Sequence, residues 1–485
     1  MKESNLKSNF IYNLIYQALI LIVPLITSPY LTRVIGAEGL GIYSFSQSFA
    51  FYFVLFIMLG VNNYGNREIA RVRNNSLRVN RTFTEIYFIQ FTLMIIFSIF
   101  YLAVIFLYIK ENKLIYSIQF LYVISAGFDV NWCCFGLEKF KLTVTRNSII
   151  KISSAILIFL FVKDKNDLAV YTIINAGSIL VSQLVIWPFI LKDVKFIAVK
   201  KKDVFHRFKP LIVLFIPVVA VSLYTVLAKL LLGMLSSKTE VAFFTYAERL
   251  TQIPLAFISA IGTVMLPRSS HLISQGMDKE NKDLINKSMQ LSMFIASSCC
   301  FVLIGIANQL IPWFYGDLFS KSIILTILLS PTIFFISWNN VIRTQFIIPK
   351  GYDRIYIITV SIGAIANIIL NLILIPRFAG VGAAIATVVA NFFVCLCQYL
   401  LVKKYFEFKN YFIDGMSFAF IGFVMSIILY KLPNISSELG TIILKIIIGV
   451  SFFIVVSLLY LVKIRKDYYF LTVLKSSIKK FTFSN

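Results

Sequence analysis

Apolar residues run along this chain in long blocks, separated by short polar segments rich in lysine and arginine. A helix of about 20 apolar residues crosses the hydrocarbon core of a bilayer. The blocks predict fourteen such helices, at 9–32, 40–61, 83–109, 114–135, 148–162, 168–191, 210–235, 241–267, 289–311, 322–343, 355–375, 381–402, 413–430 and 441–462. The fifth is the shortest. The blocks are apolar all round rather than on one face, as lipid-embedded helices are. They do not alternate apolar with polar, which excludes a transmembrane β-barrel. The predicted fold class is an all-α polytopic membrane protein.

The polar segments set the orientation, because basic residues gather in cytoplasmic loops. With the N-terminus inside, cytoplasmic segments hold 33 Lys and Arg and external ones 9. Both termini are therefore expected in the cytoplasm. External loops are short. The longest cytoplasmic loops are expected at 62–82, 192–209 and 268–288, so no soluble catalytic domain is foreseen on either side. The stretch 463–485 mixes basic and aromatic residues and reads as an interfacial amphipathic helix.

Composition agrees. Hydrophobic residues make up 59% of the 485 and charged residues 14%, against roughly 25% in soluble chains. The 46 Lys and Arg outnumber 22 Asp and Glu, for a net charge of +24. The cytoplasmic segments carry +22 of it, so the charge is a topology signal and a surface for anionic headgroups. A soluble enzyme and a nucleic-acid partner are excluded. The six cysteines lie in apolar runs and read as small hydrophobes. No metal is expected. No cleavage site follows the first apolar block, so that block reads as a retained span rather than a signal peptide.

An internal repeat emerges at an offset of 201 residues. Gly41–Ser48 resembles Ala242–Arg249, and Arg67 pairs with Arg268. The preceding spans carry Pro24 and Pro217, and end with Arg33 before Gly36 and Lys229 before Gly233. The expected organisation is a six-helix lobe at 1–200, a second at 201–410, and two further helices with a basic tail at 411–485. Transporter sites lie between such repeats.

The run Pro29-Tyr30-Leu31-Thr32-Arg33-Val34-Ile35-Gly36-Ala37-Glu38-Gly39-Leu40-Gly41-Ile42-Tyr43 resembles the N-terminal signature of Wzx-type polysaccharide flippases. These belong to the multidrug/oligosaccharidyl-lipid/polysaccharide exporter superfamily. Tyr64-Gly65-Asn66-Arg67-Glu68-Ile69-Ala70 and the turn from Asn371 to Thr387 are similar to further motifs of that group. The resemblance implies a bacterial inner-membrane flippase. It would move an undecaprenyl-diphosphate-linked oligosaccharide from the cytoplasmic to the outer leaflet by alternating access. Membrane lipids would surround it, with a polysaccharide polymerase and a chain-length regulator as partners in O-antigen or capsule synthesis.

Charges inside a bilayer are costly and usually face a cavity or a partner. Arg249 shares a helical stripe with Thr245 and Gln252, with Glu248 beside it, and is the leading candidate for the diphosphate. Lys229 and Arg33 are candidates near the outer side, and Arg67 and Arg268 at the cytoplasmic mouth. Asp129, Glu85 and Glu248 are candidates for carrying a coupling H⁺ or Na⁺; no resident cofactor is expected. Each has a plainer reading, as an ion pair, a snorkelling side chain or a topology charge. Lys151 and Lys445 are expected to snorkel.

Two other functions compete. A cation-coupled multidrug exporter of the same superfamily should favour acidic intramembrane residues, whereas the spans balance four basic against four acidic. A polytopic polymerase or glycosyltransferase needs a long catalytic loop, and no external loop is long enough.

Overall fold

The computed structural model describes the backbone of residues 3–406 and 408–466, and side chains over 19–406 and 411–466. Most of the 463–485 stretch read as an amphipathic helix lies outside the described residues. Helices α1 (Glu3–Val34), α2 (Gly36–Met58), α3 (Val61–Val72) and α4 (Ser76–Tyr108) come first. Next are α5 (Lys113–Ser125), α6 (Asn131–Gly136), α7 (Phe140–Phe161), α8 (Leu168–Val185) and α9 (Trp187–Ile190). Then follow α10 (Lys201–Thr225), α11 (Leu227–Leu235), α12 (Lys238–Ser274), α13 (Asp278–Tyr315) and α14 (Lys321–Leu329). The last are α15 (Pro331–Ile342), α16 (Asp353–Val402), α17 (Phe408–Lys431) and α18 (Glu438–Leu459). The described residues contain no strand.

Among the described residues, 12 helical stretches are long and apolar enough to cross a membrane. One, Asp353–Tyr405, is 53 residues long. At 1.5 Å per residue that is about 80 Å, more than twice a hydrocarbon core of roughly 30 Å. It is broken at Ala379 (φ 48°, ψ −127°), so it makes two crossings joined by a tight turn. The Gly380 N–H at that turn is taken up by Glu240 Oε2 at 3.0 Å. With the apolar Leu19–Val34 part of α1, the crossings number fourteen, as the pattern predicts.

The boundaries differ in an instructive way. The short fifth block is part of a full 22-residue helix, α7, which begins at Phe140 and takes Arg146 into a crossing. The expected long loops at 62–82 and 268–288 are largely helix, since α3, α12 and α13 extend past their apolar blocks. Helical continuation satisfies backbone groups that a loop would leave to water. At the start of α4, Asn75 Oδ1 accepts the Arg78 N–H at 3.0 Å, an N-cap.

The chain divides into two compact units, residues 1–245 with 363–386, and residues 246–362 with 387–485. Beside the expected division at 200 and 410, the span at 201–235 is grouped with the N-terminal helices. In this first unit, α10–α11 lies antiparallel along α2–α3. Phe45 meets Gly233, Tyr52 Oη donates to the Ser222 carbonyl at 3.2 Å, and Phe56 packs at a tilt against Phe215 at 5.6 Å. At Gly60, a Cβ would lie 2.9 Å from the Leu211 carbonyl oxygen. Gly60 also has φ 75°, so only glycine suits the break between α2 and α3.

The second unit packs α13 against α15, α17 and α18 around an apolar core that includes Met289, Phe418, Met425, Leu429 and Phe453. Gly305 and Gly449 both press on Leu429, bringing α13 and α18 close. Lys445 is 0% exposed in this packing, two turns inside α18. It does not snorkel as expected, because α18 turns that face inward.

Candidate functional site

Glu85, on α4, is 2% exposed. Its Oε1 accepts from Arg81 Nε at 2.9 Å and its Oε2 from Arg207 Nε at 2.9 Å. Arg207, on α10, also donates through Nη1 to Glu68 Oε2 at 3.1 Å and Tyr64 Oη at 3.0 Å. Glu68 Oε1 lies 2.9 Å from Arg71 Nη1 and 3.5 Å from Arg67 Nε. Arg81 Nη2 reaches Asp203 at 2.7 Å. Helical spacing supplies the Arg81–Glu85 and Glu68–Arg71 pairs, four and three residues apart. Two sequence-derived candidates, Arg67 and Glu85, thus meet in one ion cluster that joins α3, α4 and α10. Its central residue, Arg207, was missed because its loop position reads as a topology charge.

Asp129 sits where the fourth span breaks. A short 3₁₀ turn, Ala126–Phe128, ends α5, and Asp129 is extended (φ −74°, ψ 102°) before α6 begins. Buried Gln90 takes up freed carbonyls: its Nε2 donates to Ala126 O at 2.6 Å and Asp129 O at 2.9 Å, and Trp132 Nε1 donates to its Oε1 at 3.1 Å. The Asp129 carboxylate accepts from the Asn131 backbone N–H at 2.9 Å and Asn131 Nδ2 at 2.7 Å. Arg146, 6% exposed on α7, donates to Asn131 Oδ1 at 2.8 Å and Asn147 Oδ1 at 2.7 Å. Asn131 Nδ2 also reaches Gln183 Oε1 on α8 at 3.1 Å. A broken membrane helix is tolerated only where such partners satisfy its backbone. Arg146 is a second missed cation. The polar face Thr143, Arg146, Asn147, Ser154 at helical spacing was the signal that could have found it.

Arg249, in the second unit, is half-buried on α12 with its guanidinium 4.6 Å above the Tyr246 ring. Tyr246 is packed edge-on by Tyr315 at 5.1 Å and touched by Phe319 at 5.2 Å, and Tyr315 Oη donates to the Tyr246 carbonyl at 3.1 Å. An aromatic bed of this kind attracts a cation and holds it in place. Glu248 is half-buried, and Gln252 is exposed one turn on.

The remaining candidates stand apart. Arg33 is exposed, with Nη1 donating to the Pro29 carbonyl at 2.9 Å. Lys229 is half-buried on α11, just past the break at Val226. Arg268 is exposed in the last turns of α12. No group of three or more metal-ligating side chains occurs among the described residues.

Residues 6–273 match the family model described as polysaccharide biosynthesis protein. The chain is 24% identical over 405 residues to the "Putative O-antigen transporter" of Escherichia coli K12, covering 82% of this chain and 97% of that one. It is 22% identical over 310 residues to the capsular polysaccharide biosynthesis protein CapF of Staphylococcus aureus, covering 62% of this chain and 78% of that one. Among solved structures it resembles the lipid II flippase MurJ in an inward closed conformation. That likeness has a TM-score of 0.73 at 20% identity and covers 93% of this chain and 98% of the other. It also resembles an inward-facing multidrug resistance MATE family transporter of the MOP superfamily, with a TM-score of 0.60 at 14% identity over 80% and 97% of the two chains. At these identities the structural likenesses establish a shared polytopic fold.

Proposed function

Because the chain belongs to the polysaccharide biosynthesis protein family, we propose that it flips a polyprenyl-diphosphate-linked oligosaccharide across a bacterial inner membrane. The observation that carries this reading is the family match over residues 6–273 in a chain built of membrane-crossing helices. The relative named as an O-antigen transporter supports the substrate class. The step is transport: the saccharide headgroup moves between leaflets with no bond made or broken, by alternating access. Both termini are cytoplasmic, as the basic segments require.

Arg249 is the residue proposed to meet the diphosphate. A guanidinium positioned over an aromatic ring can bind a phosphate through charge-assisted bonds, which are roughly twice as strong as neutral ones. Lys229, Arg33, Arg67, Arg268 and Gln252 are proposed as secondary contacts. Asp129 and Glu248 remain the proposed carriers of a coupling H⁺ or Na⁺. Glu85 is the least available of the three, since each of its oxygens holds a guanidinium. That engagement, together with Arg465 at 2.8 Å from Asp414, favours the flippase over an exporter of cationic drugs. The test is polysaccharide export in cells. Arg249→Ala should abolish it with normal membrane insertion, and Arg249→Lys should restore part. Full export by the alanine variant would remove Arg249 from the site.

A further inference from the structure

An aromatic cleft opens on the first unit, with Phe128, next to the break at Asp129, in its lining. Tyr87 and Phe91 of α4, Phe128, Leu184 of α8, Trp187 of α9 and Phe196 line a space of about 400 Å³. The far wall is made by an irregular segment, 194–200. Its Lys195 N–H donates to Asn80 Oδ1 at 2.9 Å and its Ile197 N–H to Thr84 Oγ1 at 3.3 Å. These two bonds lay the segment along α4 and set Phe196 against Tyr87 at 5.6 Å and Trp187 at 6.3 Å. Trp187 is fixed in turn by its Nε1 bond to the Phe128 carbonyl at 3.1 Å. The cleft is therefore held open by hydrogen bonds around it rather than filled by its own side chains.

Its surroundings say what enters. The neighbouring outward residues of α4 and α8, Phe88, Ile95, Val181 and Val185, are exposed and apolar, so the mouth faces lipid chains. The segment that closes it and the residues flanking it carry a row of exposed lysines: Lys192, Lys195, Lys200, Lys201 and Lys202. The two carboxylates in this stretch are already engaged, Asp193 with Lys139 and Asp203 with Arg81. A surplus of positive charge thus adjoins an apolar slot on a unit built of membrane-crossing helices. Basic pockets of this kind recognise anionic lipid headgroups.

We infer that this cleft is a binding site for an anionic phospholipid, with one acyl chain between Phe91, Trp187 and Phe196 and the phosphate on the lysine row. The site is built from α4, α8 and the 194–200 segment, and is occupied by a resident lipid rather than by the transported one.

Native mass spectrometry of the full-length protein in detergent, titrated with phosphatidylglycerol, phosphatidylcholine or undecaprenyl phosphate, tests this. Phosphatidylglycerol should be retained and phosphatidylcholine bound more weakly. Lys200→Gln should weaken phosphatidylglycerol alone, by about fivefold for the lysine removed. Trp187→Ala should weaken both phospholipids, whereas Trp187→Phe should keep them. Phe91→Ala, on the opposite wall, repeats the alanine test without touching the Trp187 hydrogen bond. Equal retention of the two phospholipids, or unchanged retention in both alanine variants, would overturn the site. Displacement of phosphatidylglycerol by an equal concentration of undecaprenyl phosphate would overturn the choice of occupant.

Discussion

The pairing of α2–α3 with α10–α11 is fastened differently at its two ends. At one end Arg207 of α10 holds Glu68 of α3 together with Glu85 of the adjoining α4, and Arg81 of α4 adds Asp203 of α10. At the other there is close backbone packing. A Cβ on Gly41 would lie 1.9 Å from the Lys238 carbonyl oxygen, and one on Gly233 would lie 2.1 Å from the Phe45 ring. Lys238 Nζ caps this end, 3.2 Å from the centre of the Phe45 ring and 2.7 Å from the Gly233 carbonyl. The residues concerned lie 27 apart along α2–α3, from Gly41 to Glu68, so the two fastenings are at most about 40 Å apart. Charge pairs act over distance and yield to water, salt or a competing phosphate. Glycine contacts act only at touch and are lost all at once. A helix pair tied this way can loosen by degrees at its charged end and only abruptly at its glycine end.

Breaking the charged end should have the larger effect on stability. Glu85→Ala removes the acceptor shared by two guanidiniums, and breaking a buried ion pair costs about 3–5 kcal/mol. The low end applies, because Arg81 and Arg207 keep some contact with solvent. Denaturation of the detergent-solubilised protein measures the loss. Hydrogen exchange should quicken over 201–211 and stay unchanged over 236–242. Equal loosening of both stretches would show that the ends are not independent.

Gly41→Ala tests the other end. The methyl group has no room against a backbone carbonyl, and overpacking costs about 1–3 kcal/mol. Exchange should now quicken at 36–42 and 236–242 and remain slow at 201–211. Under an alternating-access cycle this variant favours the state in which that end is parted, so export should fall more than stability does. An unchanged exchange pattern would mean that the close approach is incidental.

Much of this was legible in the sequence, and the exceptions share a cause. Apolar block length located all fourteen crossings, because a bilayer selects on hydropathy and length alone. Helix breaks were less visible. The break at Asp129 depends on Gln90, which lies 36 to 39 residues away at the Ala126 and Asp129 carbonyls, and no local pattern announces such a partner. The basic segment 192–209 carries the pattern of a topology charge, which conceals Arg207, whose role rests on carboxylates 122 and 139 residues away. Arg146 was lost to a boundary error of eight residues at the start of α7, since polar helical positions lower local hydropathy just where they matter most. Lys445 shows the converse: its distance from a span end suggested snorkelling, while the face it occupies decides burial.

The middle of the pair supplies the smallest expected effect. Tyr52 Oη donates to the Ser222 carbonyl at 3.2 Å, a hydrogen bond between α2 and α10 half-way between the two fastenings. Tyr52→Phe keeps the ring and its packing and removes only this bond. The Ser222 carbonyl also accepts the Val226 backbone N–H at 2.9 Å, so the substitution leaves no buried acceptor unsatisfied. The expected loss is therefore about 0.5 kcal/mol, the lower limit for a net intramolecular hydrogen bond. Exchange should be unaffected at either end. A cost for Tyr52→Phe matching that of Glu85→Ala would mean that the pair is held along its length, and the contrast between its ends would lose its mechanical meaning.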